Sequence, residues 1–352
     1  IRQLGRCVLL LCILLSFSLA SSTQDIHKHW HKNNSKHNQQ KPQEASARID
    51  IKYNSSTPFI LNDPRFTQTG KLRKGNDSAP WDSMVSVQKQ PSVTRGLDDE
   101  AYDAINLLFW KEMDGIVLEL GGLDGKSYSV SRDFQPYNWH RILIEATPYW
   151  HAQGPLVSPD ATYVGAAICL RDTDVHFLNS ARRTINGIAE FMSQPFVKQF
   201  HPYLHDEAMK TGQFNISQVD WKVLSQSHHK LDIIPVPCVR METVLRQVNT
   251  GKGVTHINLL ILDVEGGEMS VLQSIDFSSV IFDVICVETD VEFRLPGYRE
   301  EVVNFLSSKG YTALFNKGRN SWLRHKTFTP HSKPNDNDTH QGRGVANITN
   351  ST

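Results

Sequence analysis

Residues 116–127 read Ile-Val-Leu-Glu-Leu-Gly-Gly-Leu-Asp-Gly-Lys-Ser, an apolar run followed by a glycine-rich turn. The run predicts a buried β-strand, and Gly121 and Gly125 allow a tight turn that brings the backbone close to a ligand. We expect a helix over residues 126–134, with its first N–H groups facing that ligand. Because the acidic Glu119 at the strand end repels phosphate, the turn suits a nucleoside with a charged amino-acid arm better than a dinucleotide.

The same alternation of strand and helix continues along the chain. It predicts an α/β fold: a Rossmann-like, doubly wound, mostly parallel sheet with helices on both faces. Residues 180–230 do not follow the alternation, and their mixed aromatic residues predict an inserted helical cap. Strands are expected at 116–120, 141–145, 162–167, 233–239, 257–263, 280–288 and 311–315, and helices at 126–134, 241–249, 265–275 and 298–309.

Acidic residues follow three further predicted strands. Glu145 ends the second strand, where a carboxylate can accept both hydroxyls of a ribose. The run Asp263-Val264-Glu265-Gly266-Gly267-Glu268 follows a buried strand, and Glu288 ends the next one. Taken singly, a glycine-rich turn is most often only a turn, and acids in a first helical turn complement the helix dipole. Together they predict a ligand site at the carboxyl edge of the sheet.

With these residues in view, the central part of the chain resembles the FkbM family of S-adenosylmethionine-dependent methyltransferases, which have the class I methyltransferase fold. The resemblance covers roughly residues 115–315. It rests on the turn from Glu119 to Gly125, on Glu145 and the residues after it, on Gly165-Ala166-Ala167, on residues 241–245, and above all on residues 263–268. The chain departs from the family pattern at Glu119, where Asp is usual, and at Gly122, where Ala is usual.

The resemblance implies O-methylation of a sugar or small-molecule hydroxyl with S-adenosyl-L-methionine as cofactor. It implies that Glu119, Gly121, Gly122 and Gly125 hold the methionine part of the cofactor, that Glu145 holds the ribose, and that Asp263 faces both the methyl group and the acceptor. We expect Asp263 to be the base for the acceptor hydroxyl, with Glu265 or Glu288 as orienting acids. Such a cluster of acids can also bind a divalent cation, but no sequence feature requires a metal and none is expected.

Charge is distributed unevenly along the 352 residues, although 37 basic and 37 acidic residues balance. Residues 23–95 hold 12 basic and 6 acidic residues, while residues 96–328 hold 21 basic and 29 acidic. This balance argues against a basic nucleic-acid-binding protein. We expect a disordered polar stalk over 23–95, the methyltransferase domain over 96–328 with its cap at 180–230, and a disordered tail over 329–352.

The first residues predict entry into the secretory pathway. Arg2 and Arg6 precede a 14-residue apolar run that ends in Ser18-Leu19-Ala20, as in a signal peptide. We therefore expect residues 1–22 to be a cleaved signal peptide or a short type II membrane anchor. Either places the rest of the chain in the ER or Golgi lumen, or outside the cell. Glycosylation sequons agree with this, at Asn33, Asn54, Asn76, Asn215, Asn337, Asn347 and Asn350.

Cysteine and histidine give little further functional signal. Cys169, Cys238 and Cys286 each lie in an apolar run, and we expect buried free thiols there rather than a disulfide scaffold. The histidines at 27, 29, 31 and 37 could bind copper or zinc, but without defined ligand spacing they fit a solvated polar tail better.

Two functions of different classes remain open from the sequence. The first is an active lumenal O-methyltransferase acting on a glycan or small molecule. The second is a catalytically inactive methyltransferase-like domain that serves as a binding or trafficking module in the lumen. Binding of S-adenosylmethionine separates them.

Overall fold

The computed structural model describes residues 59–62, 99–180, 185–228, 231–248, 255–290 and 292–332. These residues contain twelve β-strands. In chain order the strands are β1 Phe59–Asn62, β2 Ile116–Leu120, β3 His140–Glu145, β4 Thr162–Gly165, β5 Ala167–Ile168, β6 Thr173–Ser180, β7 Gly187–Ile188, β8 Leu231–Val239, β9 His256–Leu262, β10 Ile281–Glu288, β11 Tyr311–Lys317 and β12 Asn320–His325.

Eight of these strands form one large sheet in the order β1-β4-β3-β2-β9-β10-β12-β11. The five central strands, β4, β3, β2, β9 and β10, run parallel, while β12 is antiparallel to both β10 and β11. After β4 the chain returns to the other side of β2, so the strand order reverses between β2 and β9. In open α/β sheets ligands bind at such a reversal, at the carboxyl ends of the strands.

Helices cover both faces of the large sheet, which confirms the predicted fold class. The α-helices in the described residues are α1 Glu100–Asp103, α2 Pro148–Val157, α3 Gln194–Phe200, α4 Pro202–Ala208, α5 Trp221–Ser227, α6 Met241–Gln247, α7 Glu268–Gln273 and α8 Tyr298–Ser308. Helices α6, α7 and α8 pack on one face of the sheet. Helix α1 and the π-helix Ala104–Leu108 pack on the other.

Strand β9 shows why the central strands of the sheet could be predicted from the sequence. Its Leu260 and Leu262 belong to the core on one face, and its Leu259 and Ile261 to the core on the other. A strand buried on both faces reads as a continuous apolar run, so its sequence predicts a parallel, central position.

A second, smaller sheet has the order β5-β8-β6-β7 and lies outside the parallel sheet. Strands β6 and β8 pair antiparallel from Thr173 opposite Cys238 to Ser180 opposite Leu231. The placement of residues 233–239 in the parallel sheet was therefore wrong, although the strand exists. Helices α3, α4 and α5 fall between β7 and β8, within the segment predicted as a cap.

Two other expectations were wrong. Residues 126–130 are irregular with backbone bends, and a 3₁₀-helix over Ser131–Tyr137 follows, where a helix over 126–134 was predicted. The cause is local: Asp124 Oδ1 accepts hydrogen bonds from the N–H groups of Lys126 and Ser127, and Tyr128 has φ of 63°. Cys169 and Cys238 form a disulfide instead of remaining free thiols, because pairing of β5 with β8 brings their Cα atoms to 5.5 Å. Cys286 is a buried thiol, as predicted, and forms no disulfide among the described residues.

Within the described ranges no helix is both long and apolar enough to cross a membrane. The leader, the stalk apart from β1, and the tail beyond residue 332 lie outside the described residues, and the expectations about them stay predictions.

Candidate functional site

A cleft opens at the reversal point between β2 and β9, at the carboxyl edge of the large sheet. Its space, including the open mouth, is about 1300 Å³. Four acidic side chains from three strand ends line it, together with apolar and polar residues from both sheets. The lining includes Glu119, Gly121, Tyr128, Glu145, Thr147, Ala166, Ile168, Phe177, Asn186, Ile188, Phe191, Asp263, Glu265, Arg319 and Asn320.

Glu119, at the end of β2, is buried and shapes the first loop of the cleft. One carboxylate oxygen accepts from the Val130 N–H at 2.7 Å. The other accepts from the Ser129 hydroxyl at 2.6 Å and the Ser131 N–H at 3.2 Å. These three bonds fold residues 121–131 back over the strand end, so Glu119 acts first as the anchor of this loop.

Gly121 lies where the loops after β2 and β9 come closest together. Its φ is 85°, and a Cβ built there would lie 2.0 Å from the carbonyl oxygen of Asp263. Its N–H donates to Ile144 O at 3.1 Å. The glycine therefore lets the carboxyl ends of β2, β3 and β9 lie side by side without overlap.

Gly122 and Gly125 do not line the cleft, although the resemblance placed them against the cofactor. A Cβ at Gly125 would meet the side chains of Leu143 and Ser158, and one at Gly122 would meet that of Glu119. Their place is packing beneath the loop, so a role in cofactor binding is indirect in this geometry.

Glu145, at the end of β3, lies in the cleft wall. Its Oε1 accepts from the Thr147 N–H at 2.7 Å and the Thr147 hydroxyl at 2.6 Å. Its Oε2 accepts from the Leu123 N–H at 3.0 Å. Burial raises the pKa of Glu145, while these hydrogen bonds lower it. A carboxylate oxygen has two lone pairs, so Oε2 keeps capacity for one more donor.

Asp263, Glu265 and Glu288 come together as the sequence predicted, with carboxylate oxygens within 4.8 Å of one another. Their surroundings differ. Asp263 is exposed, Glu265 is half-buried, and Glu288 is 2% exposed. Burial and the neighbouring Asp263 carboxylate raise the pKa of Glu265 well above its ordinary value. Glu288 does not line the cleft, whereas the other two acids do.

Glu288 belongs to an ion-pair network that is buried at Glu268, Glu288 and Arg294 and reaches the cleft through Arg319. We call it the arginine network. Arg294 contacts Glu288 at 2.8 Å and Glu268 at 3.3 Å, and Arg319 pairs with the other oxygen of Glu288. The Tyr298 hydroxyl donates to Glu268 at 2.7 Å. Glu268 also accepts from the Gly266 N–H at 3.1 Å, which fixes the loop that carries Asp263 and Glu265.

Sequence reasoning missed Arg294, Tyr298 and Arg319, because nothing in their local sequence marks a pairing with residues 6 to 31 positions away. It also missed the apolar wall opposite the acids. Phe177, Ile188 and Phe191 come from β6, β7 and the turn after β7. Their aromatic and branched side chains were visible in the sequence, but no pattern assigned them to a sheet.

Comparison with known proteins gives one family. Residues 119–313 match the model described as a methyltransferase FkbM domain. No curated protein matches the chain. Among solved structures, one similar chain is the precorrin-6y C5,15-methyltransferase of Geobacter metallireducens. It has 10% identity, 60% of this chain and 78% of that chain covered, and a TM-score of 0.27. Another is TrmK of M. capricolum with S-adenosyl-homocysteine, at 10% identity, 62% and 66% coverage and a TM-score of 0.24.

Proposed function

Because the chain belongs to the FkbM methyltransferase family, we propose that it methylates a hydroxyl group of a glycan or small molecule in the secretory pathway. Family membership makes it an S-adenosylmethionine-dependent methyltransferase. The acceptor and the compartment are the parts that we propose.

The residues that line the cleft fit this cofactor chemically. S-Adenosylmethionine supplies an electrophilic methyl group on a positively charged sulfonium, and it carries an ammonium group and two ribose hydroxyls. Carboxylates favour each of these groups. Glu145 would accept from the ribose, the turn from Glu119 to Gly121 would lie against the methionine arm, and Phe177 and Ile188 would pack against the adenine.

The observation that carries the hydroxyl acceptor is the state of Asp263 and Glu265. Within the described residues no donor contacts either carboxylate, whereas Glu119, Glu145 and Glu288 all accept hydrogen bonds from their own chain. Two carboxylates at the cleft that no described donor contacts can accept the proton and the hydrogen bonds of an alcohol. Methylation of an alcohol needs such a base, because a neutral hydroxyl is a weak nucleophile.

The secretory compartment is supported by the disulfide between Cys169 and Cys238, since disulfides persist in oxidising compartments. The sequon at Asn215 adds support. Asn215 is half-buried in a loop of the insertion, where its Oδ1 accepts from the Ser217 N–H at 3.0 Å and leaves the amide nitrogen available. The predicted signal segment agrees with both.

Calorimetry tests the cofactor site. We expect the full chain to bind S-adenosylmethionine, and Glu145→Ala to weaken binding by roughly 10- to 100-fold, because a charge-assisted hydrogen bond is lost. Glu242→Ala changes a half-buried ion pair of α6 outside the cleft, so it serves as the matched control and should bind like the wild type. No binding to the wild type would favour the inactive binding module instead.

Transfer of labelled methyl groups tests the acceptor. Methyl α-mannopyranoside and catechol present sugar and phenolic hydroxyls, and primary amines presented by lysine peptides provide the contrast. Product with a hydroxyl probe and none with the amines supports the proposal, and the reverse pattern overturns the hydroxyl acceptor.

A further inference from the structure

The four acids around the loop from Asp263 to Glu268 fall into two classes. Glu268 and Glu288 are buried and share Arg294, and Arg319 pairs with Glu288, so two guanidinium groups balance two carboxylates within the arginine network. Asp263 and Glu265 lie on the cleft side of that network, and no donor in the described part of the chain contacts their carboxylates. Only the second pair has oxygen lone pairs available to an incoming acceptor.

Asp263 and Glu265 differ in their exposure to water. Asp263 is exposed, so water surrounds its carboxylate. Glu265 is half-buried against the small sheet, where a Cβ built at Gly187 would lie 3.1 Å from the Glu265 Cβ. A carboxylate that is partly withdrawn from water binds a proton more tightly, which brings its strength as a base closer to the working pH.

We propose that Glu265, and not Asp263, removes the proton from the acceptor hydroxyl, while Asp263 and Arg319 act as positioning residues that set its charge state. This inference rests on the proposed function. In the step, the hydroxyl oxygen forms a bond to the methyl carbon, the carbon–sulfur bond breaks, and its electron pair stays on sulfur as S-adenosyl-homocysteine. The hydroxyl proton passes to a carboxylate oxygen of Glu265.

The charged groups that face Glu265 come from several elements. Asp263 on its own loop and Glu268 on α7 disfavour its ionisation, while Arg294 and Arg319 favour it. Glu288 at the end of β10 lies within 4.8 Å. The small sheet contributes Gly187, which carries no charge. Removing the negative charge of Asp263 should therefore lower the pKa of Glu265, and removing the positive charge of Arg319 should raise it.

Carbon-13 NMR of the full chain, labelled at the glutamate carboxyl carbons, measures this directly. The Glu265 resonance is the one missing from Glu265→Gln. We expect this resonance to titrate above the ordinary glutamate range. Its titration midpoint should move to lower pH in Asp263→Asn and to higher pH in Arg319→Gln. Arg319→Lys keeps the positive charge, so it provides a second test if Arg319→Gln misfolds. Glu242→Gln is the control and should leave the midpoint unchanged. An ordinary titration, or shifts in one common direction, would overturn the charge arrangement.

Kinetics with the hydroxyl probe then test the base itself. Glu265→Gln should lower kcat by about 100-fold or more, as expected for loss of a general base. Asp263→Asn should remain active, with the acidic limb of its kcat profile moved to lower pH. If Glu265→Gln keeps wild-type kcat while Asp263→Asn is inactive, Asp263 is the base and this inference fails alone. If the wild type binds cofactor but methylates no hydroxyl, the proposed acceptor fails as well.

Discussion

The large sheet and the small sheet form opposite walls of one cleft, but they are held together in different ways. The large sheet has apolar cores on both faces, and its strand ends carry the acids. The small sheet is paired mainly through β6 and β8 and is closed by a disulfide. The acids that we propose for methyl transfer therefore lie on the wall formed by the large sheet, which we call the rigid wall. Changes in the other wall can alter recognition without moving these acids.

The largest expected effect is at the rigid wall. Gly121→Ala should lower the free energy of unfolding by roughly 2 to 5 kcal/mol. The cost of a left-handed backbone at alanine adds to the cost of overlap between the new Cβ and Asp263 O. Gly212→Ala in the insertion is the matched control. It has φ of 81° but no atom within 4 Å of the added Cβ, so only the backbone cost of about 1 to 2 kcal/mol applies. Urea denaturation measures both, and equal losses would contradict the convergence at Gly121.

Removing the disulfide should have the next largest effect and should act on the small sheet. The double change Cys169→Ser and Cys238→Ser is expected to cost about 2 to 4 kcal/mol, through a less constrained unfolded chain. Hydrogen exchange should quicken in β6 and β8 and stay slow in β2 and β9.

A reducing agent supplies the control for that experiment. Dithiothreitol should lower the Tm of the wild type and of Cys286→Ala, since Cys286 forms no disulfide in the described part of the chain. It should leave the double variant unchanged, and an equal drop there would show that the disulfide is not what holds the sheet.

The smallest effect compares two acids: Glu265 on the rigid wall, which accepts no hydrogen bond from the described residues, and Glu190 on the other wall, which accepts several. Glu265 has a raised pKa, so the folded state binds more protons than the unfolded state and stability falls as pH rises above about 4.5. Glu265→Gln should remove this loss. Its Tm should match the wild type at pH 4 and exceed it by at most a few degrees at pH 8.

Glu190→Gln in the small-sheet region should have the opposite sign. Glu190 accepts from the His176 N–H at 3.0 Å and contacts the His176 ring at 2.6 Å, so the change removes stabilising bonds. Thermal melts across pH 4 to 8 compare the two variants. A Glu265→Gln protein that is less stable than the wild type at pH 8 would contradict the inference that no described donor stabilises the Glu265 carboxylate.

The sequence predicted the rigid wall well for a physical reason. Strands β2, β3 and β9 are buried on both faces, so each reads as an apolar run, and their predicted bounds agree with the structure within two residues. Because parallel strands end at one edge, the acids after them were expected together. Glu119, Glu145, Asp263 and Glu265 do line one cleft.

The small sheet could not be predicted by the same reasoning. Strand β6 reads Thr-Asp-Val-His-Phe-Leu-Asn-Ser, which has no apolar run. Strand β8 contains Pro235 and Pro237, which cannot donate ladder hydrogen bonds, and they lie where β6 alone is its paired neighbour. Those prolines were a signal against a central parallel strand. The arginine network depends on tertiary pairing, which local sequence does not encode.

The bond between Cys169 and Cys238 has a consequence for the chain as a polymer. Everything between these residues forms a covalently closed loop that leaves the chain and returns to it at one point. A protease that cuts once within residues 170–237 therefore produces two fragments that stay attached. Such a nicked protein would migrate as a single band on a non-reducing gel and as two bands after reduction, and its large sheet would keep strands from both fragments.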